Sequence, residues 1–289
     1  VSDERNDECA CLEPVRLPVA LTIAGSDSGG NAGIQADLRA FHVFGVHGCT
    51  VIAALTAQNP FGVRAVLTAD AAFVAEQLDT VLDVYGITAL KTGMLACPEV
   101  IEAVADCLVC HNRIAKVIDP VMVATSGARL LAEDALEMLT SRLLPLATLL
   151  TPNLAETEVL LGSDRTVLTL EAMQEAAREL ADRFGCAVLV KGGHADSPCA
   201  EDVLYDGAAL HRVTTPRLVS PASTHGTGCS LSAAIAASLA LGRPLVEAVT
   251  EGKAYVYESI RTGAQVGEVA TVLGTPTRLP CDRVTVETV

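Results

Sequence analysis

Residues 19–45 read VALTIAGSDSGGNAGIQADLRAFHVFG. The segment opens on a short apolar run, 19–24, that ends at a glycine-rich loop from Gly25 to Gly33. Residues 34–44 then carry apolar positions at helical spacing and stop at Gly45. This is strand, loop, helix in succession.

The same unit recurs along the chain. Strands are expected at 49–55, 87–90, 116–118, 147–150 and 187–190, and helices at 70–84, 98–110, 133–143, 170–184, 226–241 and 245–261. Residues 203–205 and 210–213 flank Asp206-Gly207, the signal of a hairpin. Strands that are near-continuously apolar and alternate with helices predict an α/β fold, its parallel sheet covered on both faces. One domain is expected over 18–265, with tails at 1–17 and 266–289. In such folds ligands sit beyond the carboxyl ends of the strands. The loops expected to carry chemistry are therefore 25–33, 58–59, 91–94, 119–123, 151–156, 191–194 and 224–229.

Composition narrows the function. Half of the 289 residues are apolar, enough for a large core, while aromatics are 3% and tryptophan is absent. Stacking of nucleic acid bases needs aromatic platforms. A formal charge of −15 repels nucleic acid and anionic membranes, although backbone N–H groups still bind phosphate locally. The acidic start of the chain lacks the basic and apolar regions of a signal peptide, so a cytoplasmic protein is expected. The ten cysteines, scattered singly, are expected as reduced thiols. C-x-x-C-H occurs at Cys107, Cys110 and His111. It matches a haem-attachment pattern, but Cys107 also fits the apolar spacing of its helix.

The most informative loop is Thr224-His225-Gly226-Thr227-Gly228-Cys229. Two glycines one residue apart lead straight into a helix. Glycine lets the backbone turn successive N–H groups toward one point, and the helix start adds free N–H groups with partial positive charge. Gly226, Thr227 and Gly228 thus form an anion hole suited to a transferring phosphoryl group. A thiol at Cys229, in the first helical turn, is expected to have a lowered pKa and to accept a proton from an attacking hydroxyl. The plain alternatives are an ordinary glycine-rich helix entry and a small buried residue.

Eight segments, in order, resemble the hydroxymethylpyrimidine/phosphomethylpyrimidine kinases of thiamine biosynthesis, within the ribokinase-like superfamily. They are LTIAGSDSGG (21–30), AGIQAD (32–37), AQN (57–59), KTGML (91–95), IDPVMVA (118–124), LTPNLAE (150–156), VKGGH (190–194) and THGTGCS (224–230). The resemblance implies a three-layer α/β/α kinase with a mostly parallel central sheet. It would use MgATP to phosphorylate 4-amino-5-hydroxymethyl-2-methylpyrimidine, and then its monophosphate, as a homodimer.

The resemblance also implies that Gly25, Asp37, Gln58, Met94 and Val121 line the pyrimidine pocket. Gln58 supplies the donor and acceptor that suit an aminopyrimidine edge. Asp37 reads equally as an acid at a helix start, and Met94 as core. Asn153 and Glu156 form the N-x-x-E pattern that serves Mg²⁺ in the superfamily, with Asp119 as a further candidate; a helix cap is the simpler reading. Lys191, basic at a strand end, suits the nucleotide phosphates. Lys253 is a nucleotide candidate or a solvated helix residue. Asn31 and Thr125 stand where glycine and lysine are expected, and Cys229 where most of the superfamily has aspartate. Pyridoxal kinase is the rival within the branch, and a non-catalytic vitamin or nucleotide sensor the rival outside it.

Overall fold

The computed structural model describes residues 15–122, 133–162, 166–193, 199–219 and 224–289. Thr125 lies outside them.

The chain runs β1 (Val19–Asp27), α1 (Gly33–Val43), β2 (His47–Asn59), β3 (Gly62–Thr68), α2 (Ala71–Leu82), β4 (Ile87–Thr92), α3 (Pro98–Leu108) and β5 (Ala115–Ile118). It continues with α4 (Glu133–Met138), β6 (Leu149–Leu150), α5 (Leu154–Leu161), α6 (Leu170–Phe184), β7 (Ala187–Lys191), β8 (Cys199–Tyr205) and β9 (Leu210–Pro216). The last elements are α7 (Thr227–Ala240), α8 (Leu245–Arg261), a small hairpin of β10 (Ala264–Val266) and β11 (Ala270–Val272), and β12 (Thr285–Thr288). Among the described residues the central sheet has the order β12-β9-β8-β7-β6-β5-β4-β1-β2-β3. Strands β7, β6, β5, β4, β1 and β2 are mutually parallel, and antiparallel strands extend both edges.

Helix ends follow local chemistry. The Asp70 carboxylate accepts the N–H groups of Ala72 and Phe73 at the start of α2, and Pro98 opens α3. Gly185, at φ 70°, closes α6 in the left-handed conformation that glycine tolerates. The β-strand alternation divides the core. Leu21 and Ile23 of β1 face α2, α3 and α6, whereas Ala20 joins the opposite cluster under α1, α7 and α8. On that side both surfaces are small: Ala20 and Ala89 lie opposite a helix in which Ala233 through Ala237 are fully buried. Helix α7 packs on the strands with one side and on α1 and α8 with the others, which is why its buried positions do not confine themselves to one stripe.

Two expectations change. The antiparallel strand β3 was not foreseen: Gln58 and Asn59 end a strand of a hairpin rather than forming a loop. The expected C-terminal tail contains β12, which pairs with β9 as the outermost strand. Both strands lie at an edge with mostly exposed side chains, so they lack the buried apolar run by which inner strands are read. No helix among the described residues is long and apolar enough to cross a membrane.

The chain leaves β1 toward β2 on one side and returns to β4 on the other. Helix α1 covers one face and α2 the opposite face. The crevice of the fold opens where those directions diverge, above the carboxyl end of β1.

Seating of α8 on α7 depends on Gly252, where an added Cβ falls 2.7 Å from Ile235 Cγ1 and 3.3 Å from Leu231 Cδ1. Gly252→Val is expected to destabilise the protein by about 1–3 kcal/mol through overpacking, read as a lowered urea midpoint. An unchanged midpoint would show that the two helices do not meet there.

Candidate active site

The carboxyl ends of the parallel strands and the start of α7 enclose a cavity of about 690 Å³. The β2–β3 hairpin overhangs one end and the β8–β9 strands wall the other.

Asp27 organises the loop after β1. Its buried carboxylate accepts the N–H of Gly29 at 2.8 Å, of Asn31 at 2.9 Å and of Ala32 at 2.8 Å. This loop packs directly on the loop before α7. Gly226 has φ 90°, and an added Cβ would lie 2.0 Å from the Asn31 carbonyl oxygen. Gly33, at φ 57°, would bring its Cβ within 2.3 Å of the Gly25 oxygen. Asn31 itself is outside the left-handed region, which Gly30 occupies instead, so asparagine needs no special tolerance there.

Gly25, Gln58, Met94 and Val121 all line the cavity. An added Cβ on Gly25 would meet Met94 Cε at 2.8 Å, so the absent side chain makes room for the methionine. Asp37 is placed differently from the expectation. It lies behind the cavity wall, fully buried, with Lys91 Nζ 2.9 and 3.0 Å from its two oxygens and the Thr22 hydroxyl donating at 2.6 Å. Lys91 is the member of the pair that lines the cavity. Burial opposes its charge, but Asp37, Cys229 and Asp119 together hold its pKa above the ordinary lysine value.

Beneath the start of α7, the Lys191 ammonium donates to Asp119 Oδ1 at 2.7 Å and lies 4.0 Å from Glu156 Oε2. Gly228 sits over this group: a Cβ there would lie 3.5 Å from Lys191 Nζ and 3.9 Å from Asp119 Oδ2. Thr151 and Ser232 hydroxyls, each 3.3 Å away, hold the two oxygens of Asp119. Glu156 and Asn153 form a reciprocal cap, with Asn153 N–H donating to Glu156 Oε2 and Glu156 N–H to Asn153 Oδ1. The cap and the site therefore use the same residues. Burial pushes the Glu156 carboxyl up to about 7; Lys191 opposes the shift and Asp119 adds to it. Two buried carboxylates face one ammonium. This oxygen donor set with surplus negative charge fits a hard divalent cation.

Cys229 lines the cavity at the first turn of α7 and is half-buried. The expected lowering of its pKa is not found. Burial pushes the thiol up, and Asp37 and Asp119 add to this, outweighing Lys91 and a backbone hydrogen bond with Gly33.

Lys253 is no solvated helix residue. It is buried, 2.6 Å from Asp202 Oδ2, and Asp202 Oδ1 accepts the Gly192 N–H at 3.0 Å. Asp202 went unread because it lies on an edge-side strand. Lys91 carried a legible signal, being basic at a strand end like Lys191, but was read only as part of a motif. The C-x-x-C-H segment lies away from the cavity: Cys107 donates to Asp79 Oδ1 at 3.8 Å and Cys110 is exposed. Among the described residues, no three His, Cys, Asp or Glu side chains are grouped to hold a metal.

Comparison with known proteins bears on this geometry. The phosphomethylpyrimidine kinase family model matches residues 27–273. The hydroxymethylpyrimidine/phosphomethylpyrimidine kinase of Rhizobium meliloti is 49% identical over 243 residues, 84% of this chain and 90% of that one. The thiamine biosynthesis bifunctional protein ThiED of Geobacter sulfurreducens is 48% identical over 248 residues, and the match covers 86% of this chain but only half of that protein. Among solved structures, pyridoxal kinase from Staphylococcus aureus in complex with AMP-PCP superposes with a TM-score of 0.85 at 33% identity, covering 95% of this chain and all of that one. Phosphomethylpyrimidine kinase from Clostridium difficile 630 gives 0.73 at 38% identity, covering 84% and 99%. Backbone likeness thus favours the pyridoxal enzyme and sequence likeness the pyrimidine enzymes. With the motifs gathered at one cavity of a ribokinase-like α/β fold, this chain belongs to the phosphomethylpyrimidine kinase family.

Proposed function

We propose that the protein transfers the γ-phosphoryl group of ATP to the hydroxymethyl oxygen of 4-amino-5-hydroxymethyl-2-methylpyrimidine, and then phosphorylates the monophosphate to the diphosphate. The observation that carries this reading is the one cavity that Gln58 and Met94 share with the Gly226–Cys229 turn, Lys191 and Glu156. The pyrimidine lies at the hairpin end and the nucleotide toward β8, β9 and Lys253.

The hydroxyl oxygen forms the new bond to phosphorus as the bond to the β–γ bridging oxygen breaks, and ADP leaves. The N–H groups of Gly226 and Gly228 meet the negative charge on the transferring group, while that of Thr227, expected to join them, donates to the Thr224 carbonyl oxygen at 3.3 Å. Lys191 neutralises phosphate charge. A thiolate at Cys229 takes up the hydroxyl proton; burial makes that thiolate costly and the buried Lys91 ammonium offsets part of the cost. Asp119 and Glu156 would hold Mg²⁺, with Asn153 fixing the Glu156 carboxylate; the metal supplies charge neutralisation at the phosphates.

A homodimer is supported by the apolar edge formed by exposed Leu55 on β2, Val66 and Leu67 on β3 and Phe61 in the turn between them. A cytoplasmic setting is in keeping with the eight free cysteines among the described residues.

Incubation with MgATP and the hydroxymethylpyrimidine is expected to yield both mono- and diphosphate by mass spectrometry. Phosphorylation of pyridoxal alone would overturn the substrate assignment. Glu156→Gln is expected to raise the Mg²⁺ concentration for half-maximal rate about 10-fold or more, whereas an unchanged requirement would confine Glu156 to capping. The same substitution has a stability signature without metal or nucleotide. A carboxyl whose folded pKa is raised to about 7 costs the fold stability as it ionises, so the wild type is expected to lose stability as pH rises from about 5 to about 8. Glu156→Gln should remove that slope in urea titrations.

A further inference from the structure

Gln58 is held more completely than a simple pocket wall requires. Its main chain is clamped by Ser28, whose Oγ donates to the Gln58 carbonyl and accepts the Gln58 N–H, both at 2.8 Å. A β-bulge between Ala57 and Gln58 breaks the register of the hairpin at this point, a device that re-aims a side chain. The amide group then lies between two partners. One end is 3.2 Å from Thr56 Oγ1 and the other 2.8 Å from His225 Nε2.

The two ends of an amide differ in what they can do: the NH₂ only donates and the oxygen only accepts. Gln58 Oε1 lies beside the Thr56 hydroxyl, which also donates to the Ser26 carbonyl oxygen at 2.9 Å. Gln58 Nε2 lies beside His225 Nε2, so the amide donates and the imidazole nitrogen accepts. Both Gln58 and His225 line the cavity.

We propose that His225 is the specificity-determining residue of the heterocycle pocket, acting as a positioning residue through Gln58. By accepting from the NH₂ end, its Nε2 fixes which end of the amide donates and which accepts, and so selects a ring that carries an amino donor directly beside a ring-nitrogen acceptor. An aminopyrimidine has that edge. In pyridoxal a methyl-bearing carbon separates the ring nitrogen from the hydroxyl-bearing carbon, so one amide cannot pair with both. His225 immediately precedes Gly226, which ties recognition of the ring to the turn that receives the phosphoryl group. This inference rests on the pyrimidine reading above.

The test compares kcat and KM for the hydroxymethylpyrimidine, pyridoxal and MgATP in wild type, His225→Leu and His225→Gln. Leucine keeps bulk and removes the acceptor; glutamine restores one in its side-chain oxygen. His225→Leu is expected to raise KM for the hydroxymethylpyrimidine about 10-fold, to leave KM for MgATP within about 2-fold, and to shift the substrate ratio toward pyridoxal, with partial recovery in His225→Gln. A double-mutant cycle with Gln58→Ala is expected to be strongly non-additive. Equal loss of kcat on both ring substrates with unchanged KM, or additive effects in the cycle, would overturn the proposal. Wild-type turnover of the hydroxymethylpyrimidine in the same series reports on the pyrimidine reading separately from the variant ratios.

Discussion

The carbonyl oxygen of Asn31 and the α-carbon of Gly226 belong to loops far apart in the chain, yet no side chain fits between them. That backbone contact is the constraint on which the site depends. It requires glycine twice over, for the φ of 90° and for the missing Cβ. It also requires that the β1 loop hold one shape, which Asp27 enforces by collecting three N–H groups on one carboxylate. With the two loops locked, the start of α7 is aimed across the crevice at Lys191 and Asp119, and Cys229 is carried into the cavity wall.

Buried charge follows from the same geometry. Three lysines enter the site region from β4, β7 and α8, and each meets an aspartate: Lys91 with Asp37, Lys191 with Asp119, Lys253 with Asp202. Removing one partner of such a pair strands the other charge out of water, which costs more than the pair itself contributes. The paired arrangement leaves Glu156 as the additional carboxylate, and burial, with a smaller contribution from Asp119, raises its pKa. The Cys229 thiol shares this environment, so its proton affinity is set by neighbouring charges and burial more than by the helix end.

The sequence made the inner sheet legible because those strands are short apolar runs that stop at glycine-rich or polar loops; 170–184 and 245–261 matched α6 and α8 to the residue. Strands β3 and β12 escaped because edge strands with exposed side chains carry no such run. The site was legible as motifs at strand ends, and Gly25, Gln58, Met94, Val121, Lys191 and Cys229 do share one cavity. What spacing does not encode is partnership. That Asp37 serves Lys91, that Asp202 serves Lys253, and that His225 meets Gln58 are contacts between distant segments, visible only once the sheet order is fixed.

The most direct measurement of this account is kcat for Gly226→Ala, with folding monitored by circular dichroism. The added methyl must push against the Asn31 carbonyl and cannot relax at that φ, so the turn is displaced while the sheet remains. A fall in kcat of about 10²-fold or more with an intact spectrum is the expected result. A kcat close to wild type in the folded variant would contradict the claim that this turn receives the phosphoryl group.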